Sequence, residues 1–105
     1  MREINETEFD TLTSNGVVLI EFGAEWCGPC KAIAPVLQKL SNDLQGRVSV
    51  YSIDIDRSPS IAAKHGVMSV PTLLVLKGGA VVDRIVGFAS EGSLRRKLDP
   101  HIGVA

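Results

Sequence analysis

The segment Trp26-Cys27-Gly28-Pro29-Cys30 constrains this chain more than any other. It holds both cysteines, the only tryptophan and a Gly-Pro pair. An apolar run, Val17 to Ile20, leads into it, and an amphipathic segment, Cys30 to Leu44, follows. That order is strand, turn, helix. Two residues three apart on a first helical turn share a face, with Cβ atoms roughly 5–6 Å apart. A disulfide needs Cα atoms about 4.4–6.8 Å apart, so this pair can open and close with little backbone movement. Cys27 falls at the helix mouth, where unpaired N–H groups and the positive end of the macrodipole favour a thiolate over a thiol. The thiolate is the form that attacks disulfides. Pro29 suits the first helical turn, where its missing N–H costs nothing. Cys30, one turn in, is expected to be the more buried and to act second. Inert core cysteines and half of a zinc site are the alternatives. Structural zinc usually takes four ligands, and the two histidines, His65 and His101, stand far apart in the sequence. A C-x-x-C beside a βαβ pattern favours redox chemistry over both.

The length of 105 residues suits one small domain, 1–105, with a single core. Eleven basic residues against twelve acidic ones leave a formal charge of −1. The basic residues are scattered except for Arg95-Arg96-Lys97, which fits the exposed part of a last helix better than a nucleic-acid surface. No apolar run approaches the 18 or so residues that a membrane span requires. The first residues, Met1 to Glu6, are polar and lack the apolar centre of a signal peptide. The expectation is a cytoplasmic protein with no membrane, nucleic-acid or metal partner, in which two reduced cysteines serve chemistry rather than scaffolding.

Along the chain, Arg2 to Ile4 is a candidate edge strand. Asn5 and Glu8 form a capping-box pattern opening a first helix with Phe9 and Leu12 on its buried face. Asn15-Gly16 stops it. Val17 to Phe22 is an almost continuous apolar strand, the kind buried on both faces, interrupted by Glu21. Ile33, Val36, Leu37, Leu40 and Leu44 make one helical stripe, with Pro35 expected to kink it. Gly46 ends that helix, and Arg47 to Ile53 completes a right-handed βαβ crossover. Ser58 is expected to cap a short helix with Pro59 at its first position and Gly66 as its stop. Pro71 to Leu76 and Val81 to Val86 are two strands joined by a tight turn at Lys77-Gly78-Gly79-Ala80. Ser90 caps a last helix with Leu94, Leu98 and Ile102 facing inward. The fold class is α/β: a mixed central sheet of four to five strands, flanked on both faces by four helices.

Phe22, Ala24 to Lys31, Ile33-Ala34-Pro35, Asp54-Ile55-Asp56, Val70-Pro71-Thr72 and Gly87 together resemble the thioredoxin family, in order and spacing, from about Glu8 to Leu98. That family is itself a standard illustration of a thiol acidified in this setting. The resemblance implies a thiol–disulfide oxidoreductase, a general protein-disulfide reductase acting as a monomer with no bound cofactor. Cys27 is then the nucleophile and Cys30 the resolving thiol, the two closing as a disulfide. A separate thioredoxin reductase restores the dithiol with electrons from NADPH or ferredoxin. Disulfide-containing proteins are the substrates. Pro71 matches the family's cis-proline. Trp26, Gly28, Pro29, Val70, Pro71 and Gly87 would line a shallow groove for substrate. Glu21 stands where the family has a buried Asp and becomes the expected proton acceptor for Cys30.

Three departures accompany the match. Glu21 is one methylene longer than Asp. Ser52 stands where many relatives carry a lysine, so Glu21 is expected to titrate high for want of a nearby cation. Gly23 replaces an aromatic, which leaves Trp26 the sole indole. Its fluorescence is expected to change when the disulfide is reduced. Two rivals share the fold. An oxidant or isomerase usually has a histidine between its cysteines, where this chain has Gly28-Pro29. A thioredoxin-like binding subunit would keep its role when both cysteines become serine.

Overall fold

A computed structural model describes residues 1–103. Val104 and Ala105, the end of the 1–105 domain expected above, lie outside the described residues. The elements run β1 (Arg2–Glu3), α1 (Glu6–Thr13), β2 (Val17–Gly23), α2 (Gly28–Asp43), β3 (Val48–Asp54), α3 (Pro59–Lys64), β4 (Thr72–Lys77), β5 (Ala80–Val86) and α4 (Glu91–Ile102).

The five strands form one sheet in the order β1-β3-β2-β4-β5. β3 pairs parallel with both β1 and β2, whereas β4 pairs antiparallel with β2 and β5. The central strand, β2, is buried along its whole length, as a strand covered by helices on both faces must be. Its side chains alternate between two cores. Val17 and Leu19, with Val48, Val50, Leu73 and Val75, meet Ile33, Leu37 and Leu40 of α2 and Leu94 and Leu98 of α4. Val18, Ile20 and Phe22, with Leu74 and Leu76, meet Phe9 of α1 and Ile61 and Ala62 of α3. The sheet is mixed and has helices on both faces, as read from the sequence.

Local chemistry sets the element ends. Asn5 accepts from the backbone N–H groups of Thr7 and Glu8, and the Glu8 carboxylate accepts from Asn5 N at 3.1 Å, the expected capping box. Such a cap contributes about 1 kcal/mol. Ser90 caps α4 through Ser93 N. Gly78 and Gly79 both have positive φ (58° and 84°), the two-residue turn geometry that matches strand twist and that glycine adopts without steric penalty. Val75 pairs with Asp83 and Leu76 with Val81, so Val82 is an extra residue in β5, a bulge.

One local expectation is corrected. Ser58 occupies the N-cap position of α3, but its side chain makes no capping hydrogen bond. The carboxylate of Glu6, from α1, takes that place by accepting from Ser60 N at 3.2 Å. A tertiary contact has replaced a local one. α2 begins at Gly28, with Cys27 at its mouth and Pro29 in its first turn as expected, and runs through Pro35 to Asp43.

Candidate functional site: a disulfide at the end of the central strand

β2 ends at Gly23, and a short turn carries the chain to Cys27, the N-cap of α2. Here a side chain that would be apolar elsewhere acts as the cap: Cys30 N donates to Cys27 Sγ at 3.1 Å. Pro29 in the first turn forgoes no intrahelical bond. Cys27 and Cys30 are joined as a disulfide with their Cα atoms 5.3 Å apart, the separation that the three-residue spacing predicts. The N–H aimed at Cys27 Sγ and the helix start behind it would stabilise negative charge on that sulfur.

The two cysteines do not differ in burial as expected. Cys27 is 4% exposed and Cys30 7%. The reason lies on both sides of the bridge. Both cysteines belong to one cluster with Ala24, against which Ile55 and Val70 pack, and Cys30 also borders a cavity behind the disulfide. Static exposure therefore does not rank the sulfurs.

The segment before β4 closes the front of the site. The Val70–Pro71 peptide bond is cis, Val70 packs against the cysteine cluster, and Gly87 N donates to the Pro71 carbonyl at 2.8 Å. Gly28 and Pro29 are exposed beside the disulfide. Trp26 is 68% exposed, so it is no core residue. Its Nε1 donates to Asp56 Oδ2 at 2.8 Å, which ties the indole to the loop after β3. The residues named for a substrate groove thus meet at one end of the sheet.

Behind the disulfide lies a cavity of about 240 Å3. Glu21, Gly23, Cys30, Ala34, Ser52 and Asp54 line it. Exposed Met1 and Glu25 line it too, so it reaches solvent. Glu21 is 6% exposed, and its Oε2 is buried with no hydrogen-bond partner among the described residues. Burial first, and the neighbouring Asp54 charge second, push its carboxyl up to about 7. Ser52 faces Glu21 across the parallel ladder and brings no cation to oppose this shift. A carboxyl with that value exchanges a proton readily near neutrality.

Sequence reasoning missed Asp54 as a neighbour of Glu21 and Asp56 as the anchor of Trp26. Both lie in the Asp54-Ile55-Asp56 run that contributed to the resemblance, and their alternation at the end of a strand beside the cysteines was the available signal. Among the described residues, no group of three or more His, Cys, Asp or Glu side chains converges to hold a metal ion. No helix among them is long and apolar enough to cross a membrane.

Comparison with known proteins gives the same answer along nearly the whole chain. The family model described as Thioredoxin matches residues 1–100. The thioredoxins of Staphylococcus aureus strains MW2 and COL are each 46% identical to this chain over 100 residues, covering 95% of it and 96% of their own length.

Proposed function

We propose, given that the chain belongs to the thioredoxin family, that Cys27 attacks and Cys30 resolves while Glu21 takes the proton between them. Membership makes the chain a thiol–disulfide oxidoreductase that reduces protein disulfides through its Cys-X-X-Cys pair, with no bound cofactor. The finer steps follow from the residues. In the reduced form the Cys27 thiolate attacks one sulfur of a substrate disulfide. That bond breaks, its second sulfur leaves as a thiolate, and a Cys27–substrate mixed disulfide forms. Cys30 then loses its proton to Glu21 and attacks Cys27 Sγ. The intramolecular disulfide closes and the remaining substrate sulfur leaves. Two electrons have passed from the dithiol to the substrate; one substrate thiolate takes up the Cys30 proton handed on by Glu21, and the other is protonated by solvent, which received the Cys27 proton when that thiolate formed.

The single observation that carries this reading is the placement of Cys27 as the cap of α2, with Cys30 N directed at its sulfur. Trp26, Gly28, Pro29, Val70, Pro71 and Gly87 form the surface on which a substrate segment docks. The partners are disulfide-containing proteins and a separate thioredoxin reductase, which returns electrons from NADPH or ferredoxin. The protein works as one domain over 1–105, as a monomer in the cytoplasm. Insulin reduction tests the reading. Prereduced protein gives one stoichiometric burst of insulin thiols, and turnover continues only when a reductase and its electron donor are added. Failure of the prereduced protein to reduce insulin overturns it.

A further inference from the structure

We infer that Gly23 is a positioning residue for Glu21: the missing Cβ is the space in which the Glu21 carboxyl sits. The inference rests on the reading of Glu21 as proton acceptor. Residues 21 and 23 are two apart on β2 and so face the same side of the sheet. That side is covered by α2, the helix that carries Cys30. A Cβ built on Gly23 would lie 2.2 Å from Glu21 Oε2, 3.1 Å from Cδ and 3.3 Å from Oε1. The carboxyl therefore lies over the Gly23 backbone.

Conformation does not explain this glycine. Gly23 lies inside a regular strand and is absent from the residues with positive φ. Its backbone is open to any L-residue, and glycine weakens a strand interior. Room is what it supplies. The two departures at positions 21 and 23 are then one change. A carboxylate one methylene longer extends over the next inward-facing position, and that position has to lack a side chain. Ser52 and Asp54, opposite Glu21 and Gly23 on β3, complete the small polar chamber.

The atom that a new Cβ would meet is the far end of a flexible side chain. Gly23→Ala should therefore fold and move the carboxyl rather than the backbone. The cavity is the open direction, toward Met1 and Glu25. The displaced carboxyl moves away from its buried position and its titration midpoint falls toward the ordinary Glu value.

A double-mutant cycle tests this. Resolution of the mixed disulfide is followed by release of the substrate's second thiol between pH 6 and 8. G23A slows it roughly tenfold, a part of the ~10²–10⁴ that a positioned base supplies. In the E21D background, where the shorter carboxylate stops short of the new Cβ, adding G23A costs nothing further, so the two changes are non-additive. Carboxyl NMR on G23A gives a lowered Glu21 midpoint, and thermal melting confirms an intact fold. A Glu21 titration superimposable on wild type, or an equal cost of G23A in both backgrounds, overturns the inference. E21Q separates the two readings. Wild-type resolution in E21Q would remove Glu21 as proton acceptor, and the G23A titration would still decide the positioning, because it does not depend on rate.

Discussion

Cys27→Ser abolishes disulfide reduction, by about 10³-fold or more, the scale seen when an enzyme loses its nucleophile. Cys30→Ser behaves differently. It still attacks, but the intermediate has no internal thiol to resolve it, so a covalent adduct with insulin accumulates and is visible on a non-reducing gel. The asymmetry follows from α2. Cys27 caps the helix and receives the Cys30 N–H, whereas Cys30 is already inside the first turn and faces the cavity. After reduction, alkylation at neutral pH is expected at Cys27 first. An adduct trapped by Cys27→Ser instead, or first labelling at Cys30, would reverse the assignment. Exposure in the disulfide form would not have predicted this order, since the two residues are almost equally covered.

Glu21→Gln raises stability at pH 8 by about 3 kcal/mol and leaves it nearly unchanged at pH 4. The sign follows from proton binding. In the folded protein the carboxyl holds its proton up to about 7, whereas the reference value is 4.5. Between those values the folded state binds more protons than the unfolded state, so stability falls as pH rises through that window. Above it, the full cost of a buried charge applies. At about 1.4 kcal/mol per pH unit, the gap amounts to about 3 kcal/mol. Glutamine fills the same space and cannot ionise, so it escapes the cost at pH 8, while at pH 4 both side chains are neutral. Denaturant unfolding of the oxidised protein at the two pH values measures it. Parallel losses in the two proteins between pH 5 and 8 would mean that Glu21 titrates as an ordinary surface carboxylate. The stability lost to this residue is consistent with a group kept for chemistry rather than for packing.

Much of this was legible from residues alone, and the exceptions share a cause. The capping box at Asn5 and Glu8, the apolar run of β2 and the Gly78-Gly79 turn are local patterns, and local patterns survive folding. The cis bond at Val70–Pro71 came from the family resemblance, because spacing and composition say nothing about a peptide isomer. Ser58 holds the N-cap position without a side-chain bond, and a carboxylate from another helix accepts from Ser60 N instead. The burial of both cysteines depends on Ile55 and Val70, which come from other parts of the chain. Gly23 was visible as an oddity, but its use is defined by where the Glu21 carboxyl lies in three dimensions. Asp56 is legible only as part of a motif, because the indole bonded to it lies thirty residues earlier in the chain.

The antiparallel ladder between β2 and β4 sets Phe22 opposite Thr72, beside the reactive turn, and Val17 opposite Lys77, beside the glycine hairpin. Five ladder steps at about 3.3 Å each separate those poles by roughly 17 Å. A dye, a surface linker or a fused reporter attached at exposed Lys77 therefore hangs from the blunt pole of the molecule. Immobilised that way, the protein keeps the disulfide-bearing end of its sheet toward solution, which makes the hairpin the natural handle for an electrode-bound or single-molecule redox probe.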